Sequence, residues 1–362
     1  MRRLPIAALA AALLFVLVWN VSVRQAALFA IGIGMGATLA GARFGFTTGW
    51  RNLIVARDPR GVVGQAILLA LAALGSMPLL VQFPELKAAL APPSVSLVVG
   101  AFLFGLTMQI ADGCGSGTLY KAGMGVPLNM GILPLFALGS FLGSVHLDRW
   151  LALGVIEPVG LVDHFGAAGA LVATFAGLAA AVVLALAWSG VKGHASWLDR
   201  RWLWGAVLLA ALAVLNLVVA GQPWGVVYGF GLWAAKLATA AEVFDPAASM
   251  FWSQPGNAEI LRQSVLLDVT SITNIGILAG ALWVAAGTAS AGRQLTAVQW
   301  LVGLAAGFVM GYSSRLAFGC NVGAMVSGIS TGSLHGWLWV PLAFAGTLIG
   351  LRVRRRFGFD AA

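Results

Sequence analysis

The sequence predicts an all-α polytopic membrane protein: two inverted repeats whose broken or re-entrant helices meet at a midplane constriction. Three observations predict it. The 362-residue chain is 60% hydrophobic and 9% charged, with a mean hydropathy of +0.93, whereas soluble domains carry about 25% charged residues. Its apolar runs are long and uninterrupted, which selects spanning helices over the short alternating strands of a barrel. Finally, an internal repeat brings the only two cysteines, Cys114 and Cys320, into register.

Taken in order, residues 1–24 read as an N-terminal transmembrane helix. The run MRRLPIAALAAALLFVLVWNVSV exceeds the ~7–15 residue core of a signal peptide, and no clear A-x-A cleavage site follows it. A span needs about 20 apolar residues. Segments 25–42, 61–82, 94–111, 128–147 and 166–189 meet or approach that length and form a first repeat, 25–189, carrying the Cys114 motif. Residues 190–202, containing KGHASWLDRR, read as a basic cytoplasmic linker. Segments 203–221, 224–241, 264–288, 296–317 and 335–351 form a second repeat, 203–351, with the Cys320 motif, and 352–362 is a basic tail. The longest polar connections, 43–60 and 242–263, read as loops.

Charge sets the orientation. Arg43, Arg51, Arg57 and Arg60 against Asp58 leave the first loop at +3, while Glu242, Asp245, Glu259 and Arg262 leave the second at −2. Basic flanks mark the cytoplasmic side, so the two loops lie on opposite sides, as inverted repeats require. The net charge of +9 is thereby read as membrane topology. Nucleic acid is not an expected partner, because no soluble basic domain is present.

The repeat aligns residues 102–120, FLFGLTMQIADGCGSGTLY, with 308–326, FVMGYSSRLAFGCNVGAMV, without gaps. Shared positions are Phe102/Phe308, Gly105/Gly311, Ala111/Ala317, Gly113/Gly319, Cys114/Cys320 and Gly117/Gly323. Each copy also follows a Gly-rich stretch, 32–46 in one case and 229–243 in the other.

Small-residue runs such as GCGSGTLYKAGMG (113–125) and FGCNVGAMVSG (318–328) make poor continuous helix. They suit a break at membrane depth where protein surrounds it. Glycine lets backbone approach a ligand, and a helix beginning after the break aims free N–H groups at the cavity. Gly113, Gly115, Gly117, Gly319 and Gly323 are the candidate cradle. A thiol is a weak, polarisable donor, and apolar burial favours its neutral form, which does not repel an anion. Weak contacts suit a ligand that must also leave, so the matching ligand is a sulfur-bearing anion. The alternative is that both cysteines are packing residues.

Lys121 and Arg315 are the candidate cations for anion capture, with interfacial snorkelling as the other reading; Lys236 ranks behind them. Asn321, beside Cys320, is a candidate donor. Asp112 is a candidate cap, counter-ion or proton carrier. The four histidines, His146, His164, His194 and His335, have no metal-ligand spacing, so no metal, cofactor or catalytic residue is expected.

The motifs GCGSGTLYKAGMG and RLAFGCNVGAMVSGISTGSLHGWLW (315–339), with the earlier GARFGFTTGWRNL (41–53), resemble the signatures of the YeeE/YedE sulfur-transport family. That resemblance implies an hourglass-shaped permease of the prokaryotic inner membrane that takes up thiosulfate. Cys114 and Cys320 would then lie at the central constriction and contact the anion through S–H hydrogen bonds. It also implies, for some members, a TusA-like cytosolic sulfur carrier as partner. One position departs: thiosulfate-transporting relatives often carry a further cysteine after an Arg-Phe pair, and here Arg43-Phe44 is followed by Gly45. Thiosulfate is the expected cargo, with a selenium or other sulfur compound as alternative cargo. A membrane sulfurtransferase forming a cysteine persulfide is the enzyme alternative, and a scaffold for a sulfur-relay partner the third.

Overall fold

The structure, a computed structural model, describes residues 3–190, 197–287 and 294–360. Its regular elements among these residues are all helical. In the first half lie α1 (Arg3–Asn20), α2 (Val23–Gly41), α3 (Phe46–Ala56), α4 (Arg60–Gln82), α5 (Val95–Ile110), α6 (Gly115–Gly123), α7 (Pro127–Val145) and the short α8 (Leu147–Leu151). Then follow α9 (Leu161–Ser189), α10 (Arg200–Ala220), α11 (Val227–Ala240), α12 (Pro255–Arg262), α13 (Val269–Ala285) and α14 (Ala297–Leu316). A π-helical segment (Asn321–Ser327) runs into a single turn, α15 (Gly328–Ser330), and α16 (Leu334–Arg356) ends the fold. Among the described residues nine helical stretches are long and apolar enough to cross a membrane, and Val269–Ala285 is a shorter apolar helix. The chain is a multi-pass helical membrane protein.

Two connections expected to be loops contain helix. Within 43–60 lies α3, which buries Phe46, Trp50 and Leu53. At 11 residues it rises only about 17 Å, too short a run to register as a span. Within 242–263 lies α12, which is short and largely polar. The expected span 224–241 is the 14-residue α11, about 21 Å long and short of a ~30 Å hydrocarbon core. Of the basic linker, residues 191–196 lie outside the described residues. Its flanks join the Arg-rich end of the molecule: Arg57 donates to the Trp188 carbonyl at 2.8 Å, and Arg60 lies 3.8 Å from Asp199.

The inversion is visible in how equivalent helices run. The Ser96 hydroxyl, in the first turn of α5, donates to the Leu316 carbonyl in the last turn of α14 at 2.8 Å. The repeat-related α5 and α14 are therefore antiparallel. Each then packs in parallel on a helix of the other half, α5 on α16 and α14 on α7. The matched glycines explain the closeness. A Cβ on Gly105 would collide with the Ala343 carbonyl of α16, and one on Gly311 with the Phe136 carbonyl of α7. Lipid offers no hydrophobic force between helices, so small residues that let backbones touch supply the packing.

The remaining packing follows the same exchange. Helix α2 lies on α13 as α10 lies on α4, and α6 meets α13 as α15 meets α4. This pairs α2 with α10 and α3 with α11. The Gly-rich stretch matching GARFGFTTG (41–49) is then GQPWGVVYG (221–229), with Gly41/Gly221, Gly45/Gly225 and Gly49/Gly229 in register, rather than the offset between 32–46 and 229–243. With 47 glycines in the chain, glycine content alone gives weak register; packing fixes it.

Candidate functional site

Both cysteine motifs fold alike. After α5 the chain turns through Asp112 at φ 55°, and after α14 through Phe318 at φ 56°. The Gly113 amide donates to Met108 O at 3.1 Å, and the Gly319 amide to Ser314 O at 2.8 Å, the same bond 206 residues on. Gly319 holds φ +151°, a conformation that side chains rarely adopt. Cys114 (φ −81°, ψ −168°) and Cys320 (φ −98°, ψ −166°) are then extended residues at the starts of α6 and the π-helical segment. Their carbonyls accept from Thr118 N and Ala324 N, each at 2.8 Å. The expected helix breaks thus lie where the glycines fall.

The two breaks meet inside the protein. A Cβ built on Gly115 would lie 3.0 Å from Cys320 Sγ, 3.3 Å from its Cβ and 3.6 Å from the Phe136 ring. One on Gly117 would lie 3.5 Å from Cys114 Sγ. Both thiols are free and buried. Cys114 Sγ is 3.4 Å from Ser116 Oγ. The repeat position of Gly115 is held by Asn321, which is fully buried with neither amide atom partnered among the described residues. Orphaned buried amides are costly, so Asn321 has both a donor and an acceptor to offer.

The sequence-predicted cations divide between two ends. At the Arg-rich end Lys121 Nζ lies 2.7 Å from Asp112 Oδ2, with Arg51 at 2.8 Å and Arg354 at 3.3 Å from Oδ1. Asp112 is therefore the counter-ion of three cations rather than a helix cap, and Lys121 shares its charge with Arg51 and Arg354. At the other end Arg315 is half-buried, with its guanidinium 4.5 Å from the Phe251 ring centroid and 5.7 Å from that of Tyr228. Its Nε is unpartnered, and no salt bridge to it occurs among the described residues. Lys236 donates to the carbonyls of Ile260, Leu261 and Gln263, closing the C-terminus of α12.

Arg315 opens on a cavity of about 280 Å³ lined also by Phe318, Gly319, Gly323, Tyr228 and His335. The cavity thus reaches the glycines on both sides of Cys320. Arg51, Arg354 and His335 escaped the sequence reading. The first two sit in charge runs indistinguishable from cytoplasmic flanks, and a lone histidine carries no spacing signal. Among the described residues no group of three or more His, Cys, Asp or Glu side chains is placed to hold a metal.

The comparisons point one way. The pattern of a family described as sulphur transport matches residues 41–349. The chain is 26% identical to the thiosulfate transporter TsuA of Spirochaeta thermophila over 257 residues, 67% of this chain and 73% of that protein. It is 28% identical to the probable transporter YedE of Escherichia coli over 163 residues, 43% of this chain and 39% of that one. With the thiosulfate transporter TsuA of Escherichia coli it shares 30% identity over 95 residues, 27% of that protein's length.

Proposed function

The chain belongs to the sulphur-transport family, and from that premise we propose that it carries thiosulfate inward through a thiol relay at Cys320 and Cys114. As a family member it is a sulfur-anion permease of the bacterial inner membrane rather than an enzyme. The observation that carries the finer reading is the abutment of the two motifs: Gly115 lies so close to Cys320 that even a methyl there would crowd its Sγ, at 3.0 Å.

The positive-inside rule puts the end bearing Arg51, Lys121 and Arg354 in the cytoplasm and the Arg315 cavity outside. An anion then meets Arg315 first, where aromatic rings rather than carboxylates neighbour the guanidinium. It offers unshared positive charge in a poorly hydrated place, where an ionic contact is stronger than in water. Beyond Gly319 and Gly323 the anion meets Cys320, Asn321 and then Cys114. Thiols bind the soft terminal sulfur weakly and so release it. Past Cys114, the cations around Asp112 draw the anion toward the cytoplasm. Gly113, Gly115 and Gly117 line this step and keep it free of side chains. Gly45 stands where the family resemblance implies that thiosulfate-transporting relatives often carry a further thiol, so in this chain two cysteines carry the relay. The basic cytoplasmic face suits a TusA-like sulfur carrier, testable by co-purification.

The decisive test is uptake of ³⁵S-thiosulfate into proteoliposomes, with Cys114→Ala and Cys320→Ala alongside. Uptake resistant to excess sulfate and lost in both variants supports the relay; wild-type uptake by both variants overturns it. A persulfide on either cysteine after turnover, seen by mass spectrometry, would favour covalent sulfur transfer instead.

A further inference from the structure

The outer cavity holds a second unexplained polar group. His335, at the start of α16, is 1% exposed and lines the same cavity as Arg315. Its Nδ1 lies 2.6 Å from Ser333 Oγ, while its Nε2 is buried without a partner among the described residues. Gly328 makes room for the ring: a Cβ there would sit 2.9 Å from Cε1 and 3.2 Å from Nε2. A buried histidine that satisfies only one nitrogen is an exception to the pairing rule for buried polar groups.

Hydrogen-bond accounting fixes the proton. Ser333 is fully buried, and the imidazole is the sole partner of its hydroxyl among the described residues. If Nδ1 carried the only ring proton, the hydroxyl proton would have no acceptor. The satisfied arrangement has Ser333 donating to Nδ1, which leaves the ring proton on Nε2. A doubly protonated ring also has a proton there. Arg315, likewise, has only donors to give. A buried imidazole N–H and a half-buried guanidinium, both lacking an anionic partner among the described residues, describe a receptor for oxygen acceptors.

We infer that His335 Nε2–H and Arg315 together bind the oxyanion end of the cargo, so that an asymmetric sulfur anion enters with its terminal sulfur foremost. This rests on the permease reading above and adds the division of labour. Hard oxygens are held by fixed N–H donors at the outer mouth, and the soft sulfur is presented to the thiols beyond.

The test compares wild type with His335→Leu and His335→Gln in proteoliposomes, and follows ¹⁵N-histidine signals by NMR in nanodiscs. A hydrogen bond to a charged group is worth about 1.5–3 kcal/mol, so His335→Leu should raise the KM for thiosulfate about 10-fold or more while leaving maximal flux within about 3-fold. His335→Gln, which restores an N–H near the same place, should recover most of the affinity. Nε2 should be protonated and shift on adding thiosulfate or sulfite. An unprotonated Nε2, or an unchanged KM in a folded His335→Leu protein, overturns the inference while leaving the permease intact. Absent wild-type flux with a persisting oxyanion-induced Nε2 shift would instead sink the cargo reading and keep the site.

Discussion

Gly115→Ala tests the meeting of the two motifs with one methyl group. Its Cβ would lie 3.0 Å from Cys320 Sγ and 3.3 Å from Cys320 Cβ. Carbon contacts settle near 3.5–4.0 Å, so the thiol must retreat by about 0.5–1 Å. It has little room to do so, since Cys320 is fully buried and the Phe136 ring would lie 3.6 Å from the same methyl. Overpacking of this kind costs about 1–3 kcal/mol. Placed on the transport barrier, that slows flux by roughly 5- to 150-fold. Gly41→Ala is the control, because a Cβ there meets nothing within 4 Å. The assay is initial ³⁵S-thiosulfate uptake per folded molecule, with thermal melting to show that Gly115→Ala still folds. Uptake by Gly115→Ala equal to that of Gly41→Ala would refute the idea that cargo passes between these motifs.

Arg315→Gln should raise the KM for thiosulfate by about 10-fold or more, and Arg315→Lys should recover only part of it, since lysine lacks the planar group that stacks on Phe251 and Tyr228; concentration-dependent uptake separates the two. Asp112→Asn leaves Arg51, Lys121 and Arg354 without their shared carboxylate. Because that side chain is 31% exposed, a loss of about 1–3 kcal/mol is expected, below the full cost of breaking a buried pair, and should be read as a lowered melting temperature that high salt partly restores. Gly311→Ala drives a methyl into the Phe136 carbonyl, so α14 and α7 must part; a melting temperature lowered by several degrees is expected, and wild-type stability would contradict the packing account.

Much of the fold was legible because lipid imposes a simple rule: apolar runs of spanning length become helices. The breaks at 112–114 and 318–320 were legible because glycine flanks both cysteines. The gapless match of Cys114 with Cys320 anticipated their structural equivalence down to the amide bonds of Gly113 and Gly319. What escaped was information held only in three dimensions. Helix α3 was hidden because its 11 residues are too few to register as a span and Arg51 and Asn52 break the apolar run, so it reads as a polar connection. Asp112 gave no sign that residues as distant as Arg51 and Arg354 converge on it. The difference between Lys121, bound to a carboxylate, and Arg315, held between rings, cannot be read from charge alone. His335 became noticeable only when its hydrogen bonds were counted.

The most direct measurement is sulfate-resistant ³⁵S-thiosulfate uptake by proteoliposomes containing this protein alone, for the wild type, Cys114→Ala and Cys320→Ala. The thiol relay predicts rapid wild-type uptake that falls at least 10-fold in each variant while both still melt cooperatively near the wild-type temperature. Undiminished uptake in either folded variant would remove that cysteine from the path and contradict the relay.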